Sequence, residues 1–145
     1  MGEMRGQISL DLLFAVTIIS ITMLSVMNVA LSEKAEAEVV GASTQLKAFA
    51  LDLRGTVARL YAAPGMTVMK TAPLELQPGD LINVTLKSDG RLIVKAHIDG
   101  RDYVVIQELQ VFPGVDSSVV LTPSREEFKI KSRRLPDGVE VTVTA

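Results

Sequence analysis

The chain has 145 residues and a formal net charge of −2, which allows one domain plus an appended segment. A net charge so close to zero argues against a nucleic-acid partner, because nucleic-acid-binding domains are usually clearly basic. Cysteine is absent, so disulfides, thiolate metal sites and cysteine nucleophiles are excluded.

The most apolar part of the chain is residues 12–31, and no charged residue lies between Asp11 and Glu33. A helix of about 20 residues spans about 30 Å, the thickness of bilayer hydrocarbon, so this segment is predicted to cross a membrane. A buried helix of a soluble protein and the core of a secretory signal are both usually shorter, so the segment is expected to be retained. Four of its polar residues share one arc of the helix and would either hydrogen-bond to a neighbouring helix or simply be tolerated: Thr17, Ser20, Ser25 and Asn28.

A short polar stretch precedes this segment, and it ends in a distinctive string. Residues 5–11 read Arg-Gly-Gln-Ile-Ser-Leu-Asp and run directly into the apolar segment. The string resembles the class III signal peptide of archaeal type IV pilins, in which a basic residue and a glycine or alanine precede Q-x-S-x-[DE]. Aspartate stands here where glutamate is the commoner residue. The resemblance covers about residues 5–32 and does not extend to the rest of the chain.

The resemblance implies that a membrane prepilin peptidase cuts the chain before its hydrophobic segment rather than after it. Arg5 and Gly6 would end the leader, and Gln7 would become the mature N-terminus. Ser9 and Asp11 match the two further motif positions and are expected to serve assembly. An unpaired charge at Asp11 resists membrane insertion, so pairing with the terminal amine of a neighbouring subunit would favour docking. Asp11 would also interact favourably with the positive end of its own helix.

The helix is predicted to continue beyond the membrane to about residue 62, because residues 33–62 lack proline and contain many good helix formers. Pro64-Gly65 should end it. A basic N-terminal flank and an acidic flank at residues 33–38 predict a cytoplasmic leader and an exterior C-terminal part. The apolar residues of the second half are spaced by three and four and predict one buried stripe: Val39, Ala42, Leu46, Phe49, Ala50, Leu53, Val57, Leu60 and Tyr61.

The chain after residue 65 has the pattern of short strands separated by Asp-Gly turns, which favour two-residue hairpins. Asp89-Gly90, Asp99-Gly100 and Asp137-Gly138 are the three turns. The predicted strands are residues 66–70, 81–86, 92–98, 103–106, 119–121, 128–131 and 139–143. The predicted fold is therefore α+β, a long N-terminal hydrophobic helix packed on an antiparallel β-sheet head, as in type IV pilins. Its segments are a leader at 1–6, an assembly helix at 7–63 and a β-rich extracellular head at 64–145.

No arrangement of residues suggests catalysis or cofactor binding. His97, the single histidine, lies in a predicted strand with no neighbouring acid or serine expected to form a relay, and is interpreted as a structural or surface residue. Acidic pairs such as Glu126-Glu127 are interpreted as solvated, and no metal site is expected. Asn83-Val84-Thr85 is an N-x-[ST] sequon, so Asn83 is a candidate acceptor for an N-linked glycan.

These features favour a structural subunit of an extracellular type IV pilus-like filament used for surface attachment. Its expected partners are further copies of itself, the prepilin peptidase and, before assembly, the cell membrane, with no nucleic acid and no enzymatic activity. Two alternatives remain open: a minor pilin or pseudopilin-like component of a filament or secretion assembly, and a single-span membrane-anchored binding module or enzyme. An archaellum subunit is a further relative that would usually have a longer head.

Overall fold

The computed structural model describes the backbone of residues 2–145 and the side chains from Leu10 onward. It contains one long helix followed by seven strands, which confirms the predicted α+β class. The elements are α1 (Gly2–Ala62), β1 (Thr67–Thr71), β2 (Leu81–Leu86), β3 (Arg91–Ile98), β4 (Arg101–Glu108), β5 (Ser117–Leu121), β6 (Glu127–Leu135) and β7 (Gly138–Thr144). Each predicted strand coincides with an observed one, and the helix ends before Pro64-Gly65 as expected.

Two compact units divide the chain within helix α1, at Val40 and Gly41. The first unit is helical. The second, Gly41–Ala145, contains the last turns of α1 together with all seven strands. The last turns of α1 belong to this second unit because the apolar stripe beyond Gly41 is packed on the strands.

The strands form two antiparallel sheets rather than the single sheet that the sequence predicted. One sheet has the order β1-β6-β7 and the other has the order β4-β3-β2-β5. The three hairpins at the Asp-Gly turns are present, as β2–β3, β3–β4 and β6–β7. The pairings of β1 with β6 and of β2 with β5 join distant parts of the chain, and they separate the strands into two sheets. No turn signal encodes such pairings.

One hydrophobic core lies between the helix and the inward faces of both sheets. Strand burial alternates along β2, β3 and β6, as expected for sheets with one face packed and one face in water. Phe49 on the helix meets Phe128 on β6 edge to face, with ring centroids 6.2 Å apart. The helix contributes the predicted stripe, of which six residues are buried: Leu46, Phe49, Ala50, Leu53, Val57 and Leu60.

Buried polar groups fix the connections around this core. Ser132 on β6 lies beneath the link between α1 and β1, where its hydroxyl is 3.3 Å from the Met66 amide and its own amide donates to the Met66 carbonyl at 3.0 Å. Asp80, 7 % exposed, accepts hydrogen bonds from the backbone amides of Gln77 at 2.9 Å and Asp99 at 3.0 Å. Asp99 adopts a positive φ of 50° in the β3–β4 turn. The Asp80 carboxylate therefore anchors that turn to the loop before β2.

An ion pair joins the helix to the edge of the first sheet. Lys70 on β1 points to the inner side of the sheet, and its Nζ lies 2.6 Å from Asp52 Oδ2 on α1. The Lys70 side chain is only 19 % exposed, so water screens this pair less than it screens most surface pairs. The ion pair between Asp52 and Lys70 thus adds a polar contact between the helix and strand β1 beside the apolar stripe.

Candidate functional sites

The first candidate site is the surface of helix α1 between Leu10 and Leu31. Its large apolar side chains are all more than half exposed, from 54 % at Val16 to 74 % at Met23. The most apolar window of the helix has a mean hydropathy of 2.2, and none of that window is buried. Among the described residues this is the one helix long and apolar enough to cross a membrane. That agreement with the predicted span supports membrane anchoring as a property of this segment.

The hydroxyl groups of this segment are already satisfied within the helix. Thr17 Oγ1 donates to the Leu13 carbonyl at 2.8 Å, and Ser20 Oγ donates to the Val16 carbonyl at 2.8 Å. Thr22 and Ser25 make the same bond one turn back. An unsatisfied donor in hydrocarbon costs several kcal/mol, so these bonds let the polar residues enter a bilayer at small cost. Asn28 differs, since its exposed amide makes no hydrogen bond to any described residue and remains available to a neighbouring helix.

The predicted processing residues lie at the start of the same helix. Arg5, Gly6, Gln7 and Ser9 belong to the backbone of α1, but they fall outside the residues whose side chains the structure describes. Asp11 is described and its side chain is exposed. Helix α1 begins at Gly2, so Asp11 lies beyond its first turn, where the favourable field of a helix N-terminus has largely faded. The attraction of Asp11 to its own helix end is therefore weak in this structure.

The predicted glycan acceptor lies on the outer face of the second sheet. Asn83 is on β2, an interior strand of that sheet, opposite Lys95 on β3 and Val120 on β5. Thr85 Oγ1 donates to Asn83 Oδ1 at 3.3 Å, while Val84 between them is fully buried. Both polar members of the sequon therefore face outward. The exposed residue Val120 lies beside Asn83, and the exposed residues Val104 and Ile106 lie on β4, beyond strand β3.

The surroundings of His97 contain an acidic residue that the sequence did not indicate. His97 does have an acidic neighbour, because the β3–β4 hairpin places Asp102 directly opposite, with His97 Nδ1 and Asp102 Oδ1 2.7 Å apart. The pair is exposed, and the residue on the other side of His97 in the sheet is Leu81, which is no nucleophile. Among residues whose side chains are described, no group of three His, Cys, Asp or Glu side chains is arranged to hold a metal ion.

These features were compared with those of known proteins. No family model, curated protein or solved structure matches the chain.

A further surface was missed at the level of sequence. Lys129, Lys131 and Arg133 occupy alternate positions on β6, the central strand of the first sheet, and all three are exposed on its outer face. None is in an ion pair with another described residue. Arg133 and Arg134 are adjacent basic residues in the sequence, but neighbours in a strand point to opposite faces. The informative signal was basic residues at every second position.

Proposed function

We propose that the chain is the structural subunit of an extracellular type IV pilus-like filament that serves surface attachment. It would enter the membrane as a precursor, lose residues 1–6 to a prepilin peptidase, and assemble through helix α1. The observation that carries the proposal is the exposed, uncharged surface of α1 from Leu12 to Ser32, which directly follows the Arg-Gly-Gln-Ile-Ser-Leu-Asp string.

The exposed surface of α1 needs a permanent apolar environment. Each large apolar side chain gains roughly 1.5–3 kcal/mol when it is fully buried, and more than a dozen such residues are exposed between Leu10 and Leu31. The bilayer supplies that environment for a single chain. A bundle of identical helices supplies it for a filament, which allows the same surface to serve in both states. Side-by-side packing of the helices would also give Asn28 hydrogen-bonding partners.

Leader removal links Asp11 to this assembly. Cutting after Gly6 makes Asp11 the fifth residue of the mature chain and creates a new positive amine at Gln7. The carboxylate then lies near the start of the helix, at the depth where the amines of neighbouring subunits would lie. A carboxylate in this apolar setting is stabilised by an opposite charge, so the pair favours docking in register.

The part of the chain from Gly41 to Ala145 would form the filament's outer surface. It has its own hydrophobic core, and its outer sheet faces carry polar side chains such as Asn83, Lys129 and Lys131. We propose a non-enzymatic role that needs no cofactor. A glycan on Asn83 would cover the exposed apolar residues Val104, Ile106 and Val120.

Purified cell-surface filaments provide the direct test. Electron microscopy should show filaments whose principal subunit is this chain, and peptide mass mapping should find that subunit beginning at Gln7. The same map reports whether the peptide containing Asn83 carries a glycan. Finding the chain only in the membrane fraction, at full length and absent from filaments, would instead support a membrane-anchored binding module. A trace amount in filaments built from another protein would indicate a minor pilin.

Asp11→Ala tests the assembly role separately from membrane insertion. Removing one charge from the edge of an apolar helix makes insertion slightly easier, so the membrane level of the variant should match that of the wild type. Filament yield should fall severalfold, because neighbouring subunits lose the pairing that aligns them. Asp11→Glu preserves the charge and is the matched control, expected to assemble normally. Normal filament yield from Asp11→Ala would show that the carboxylate does not take part in assembly.

A further inference from the structure

The outer face of the β1-β6-β7 sheet carries a straight row of positive charge along its central strand. Lys129, Lys131 and Arg133 alternate along β6, so their side chains leave the same face about 6.8 Å apart. All three are exposed, and none is within ion-pair distance of another described residue. From the structure we infer that this row, here called the β6 basic row, binds a linear acidic polysaccharide.

The residues beside the row fit a hydroxyl-rich polymer. Lys131 is flanked across the sheet by Thr67 on β1 and Thr142 on β7. Lys129 is flanked by Met69 and Thr144. The ammonium groups supply positive charge for carboxylate or sulfate groups, and the hydroxyls of Thr67 and Thr142 can donate and accept hydrogen bonds with sugar hydroxyls, whereas the Thr144 hydroxyl is buried. The flat, open sheet also matches an extended chain better than it matches a small molecule, which requires a concave pocket.

Two features of the same face argue against single-stranded nucleic acid as the ligand and limit the positive charge of the row. The outward positions of its three strands carry no aromatic residue, whereas single-stranded nucleic acids are usually bound by stacking their bases on exposed aromatic rings. Glu127 precedes the row on β6 and Glu140 lies directly opposite Arg133, whereas neither Lys129 nor Lys131 has an acidic residue directly across the sheet. These two lysines are therefore the ones to change.

The row is short, and a single copy would bind weakly at physiological salt. Its part in surface attachment rests on the proposed filament, in which each subunit would present one row. Many rows engaging one polymer would act together, because each further contact is intramolecular once the first has formed. Weak single-site binding combined with strong binding by the filament is therefore the expected behaviour.

The test uses the full-length chain in a neutral detergent, with polygalacturonate and dextran sulfate as probes and uncharged dextran as the reference polymer. Lys129→Gln/Lys131→Gln should weaken binding to both acidic probes by roughly tenfold. It should also reduce the magnitude of the slope of log affinity against log salt concentration by about two. Lys47→Gln/Lys95→Gln is the matched control, because it removes the same charge from two lysines exposed elsewhere. It should change binding by less than about twofold, since their charges lie away from the row.

Several outcomes would overturn the inference. One is an absence of binding by the wild type to either acidic probe at low salt. Another is an equal loss of affinity in both double variants, which would indicate a response to net charge alone. Tighter binding of single-stranded oligothymidylate than of polygalacturonate would assign the row to nucleic acid instead. Because single chains in detergent are measured, none of these outcomes depends on whether filaments form.

Discussion

Replacing Phe128 with alanine is expected to lower the free energy of unfolding of residues 41–145 by about 3–5 kcal/mol. Phe128 is 1 % exposed, and its ring meets Phe49 of helix α1 edge to face. The change removes buried apolar surface, leaves a cavity and breaks the aromatic pair. Because domains of this size are stable by only about 5–15 kcal/mol, such a loss should leave the strands easily unfolded. Chemical denaturation of the full-length chain in neutral detergent, followed by circular dichroism, measures the difference.

Phe112→Ala is the matched control for this substitution. Phe112 lies in the link between β4 and β5 and is 67 % exposed, so the same chemical change removes little buried surface. Its effect should be below about 1 kcal/mol, as for most surface substitutions. Similar losses from both substitutions would mean that the Phe49–Phe128 contact does not hold the helix to the sheet.

The local features of this fold were predictable because short stretches of sequence determine them. An Asp-Gly pair can adopt the positive φ values of a tight hairpin turn, as Asp99 and Gly100 do at 50° and 71°. The α1 stripe follows from the 3.6-residue period of a helix, and the end of the helix follows from Pro64-Gly65. All of these signals lie within a few residues of the structure that they specify.

The arrangement of the strands into two sheets was not predictable from the same signals. Strand β1 pairs with β6, about sixty residues later, and the register is set by packing Val68 and Ile130 on the same inner face. Asp80 likewise holds the Asp99 turn from a different loop, and nothing near Asp80 in the sequence indicates that partner. Contacts of this kind depend on the three-dimensional arrangement of all strands at once.

The candidate sites show the same contrast. The exposed apolar surface of α1 was predictable from composition alone, since hydrophobicity and length specify a membrane helix without reference to the remaining chain. The β6 basic row was not recognised, because its three members are separated by Ile130 and Ser132, which point into the core. Asp102 as a neighbour of His97 required the hairpin register. The proposed processing motif is a different case, because it would be recognised by another protein and would depend on that protein's specificity rather than on this fold.

Replacing Gly6 with tryptophan is expected to abolish removal of residues 1–6 and, with it, filament formation. A peptidase must bring the backbone of the scissile bond close to its own catalytic groups, and a side chain at Gly6 would obstruct that approach where glycine has none. Membrane insertion should persist, because it depends on residues 12–31. Immunoblotting of membranes should show only the full-length chain, and electron microscopy should show no filaments containing it.

Gly2→Trp separates obstruction at the cut site from a general effect of a bulky residue in the leader. Gly2 lies outside the motif, so this variant should be processed and assembled like the wild type. Mature protein of normal length from Gly6→Trp would rule out cleavage after Gly6.

Filaments built from uncut Gly6→Trp protein would have a different meaning. In the uncut chain Asp11 is the eleventh residue rather than the fifth, so its carboxylate lies more than one helical turn further from a terminal amine. Assembly in that state would show that the hydrophobic surface of α1 is sufficient to build the filament and that the Asp11–amine pair is dispensable.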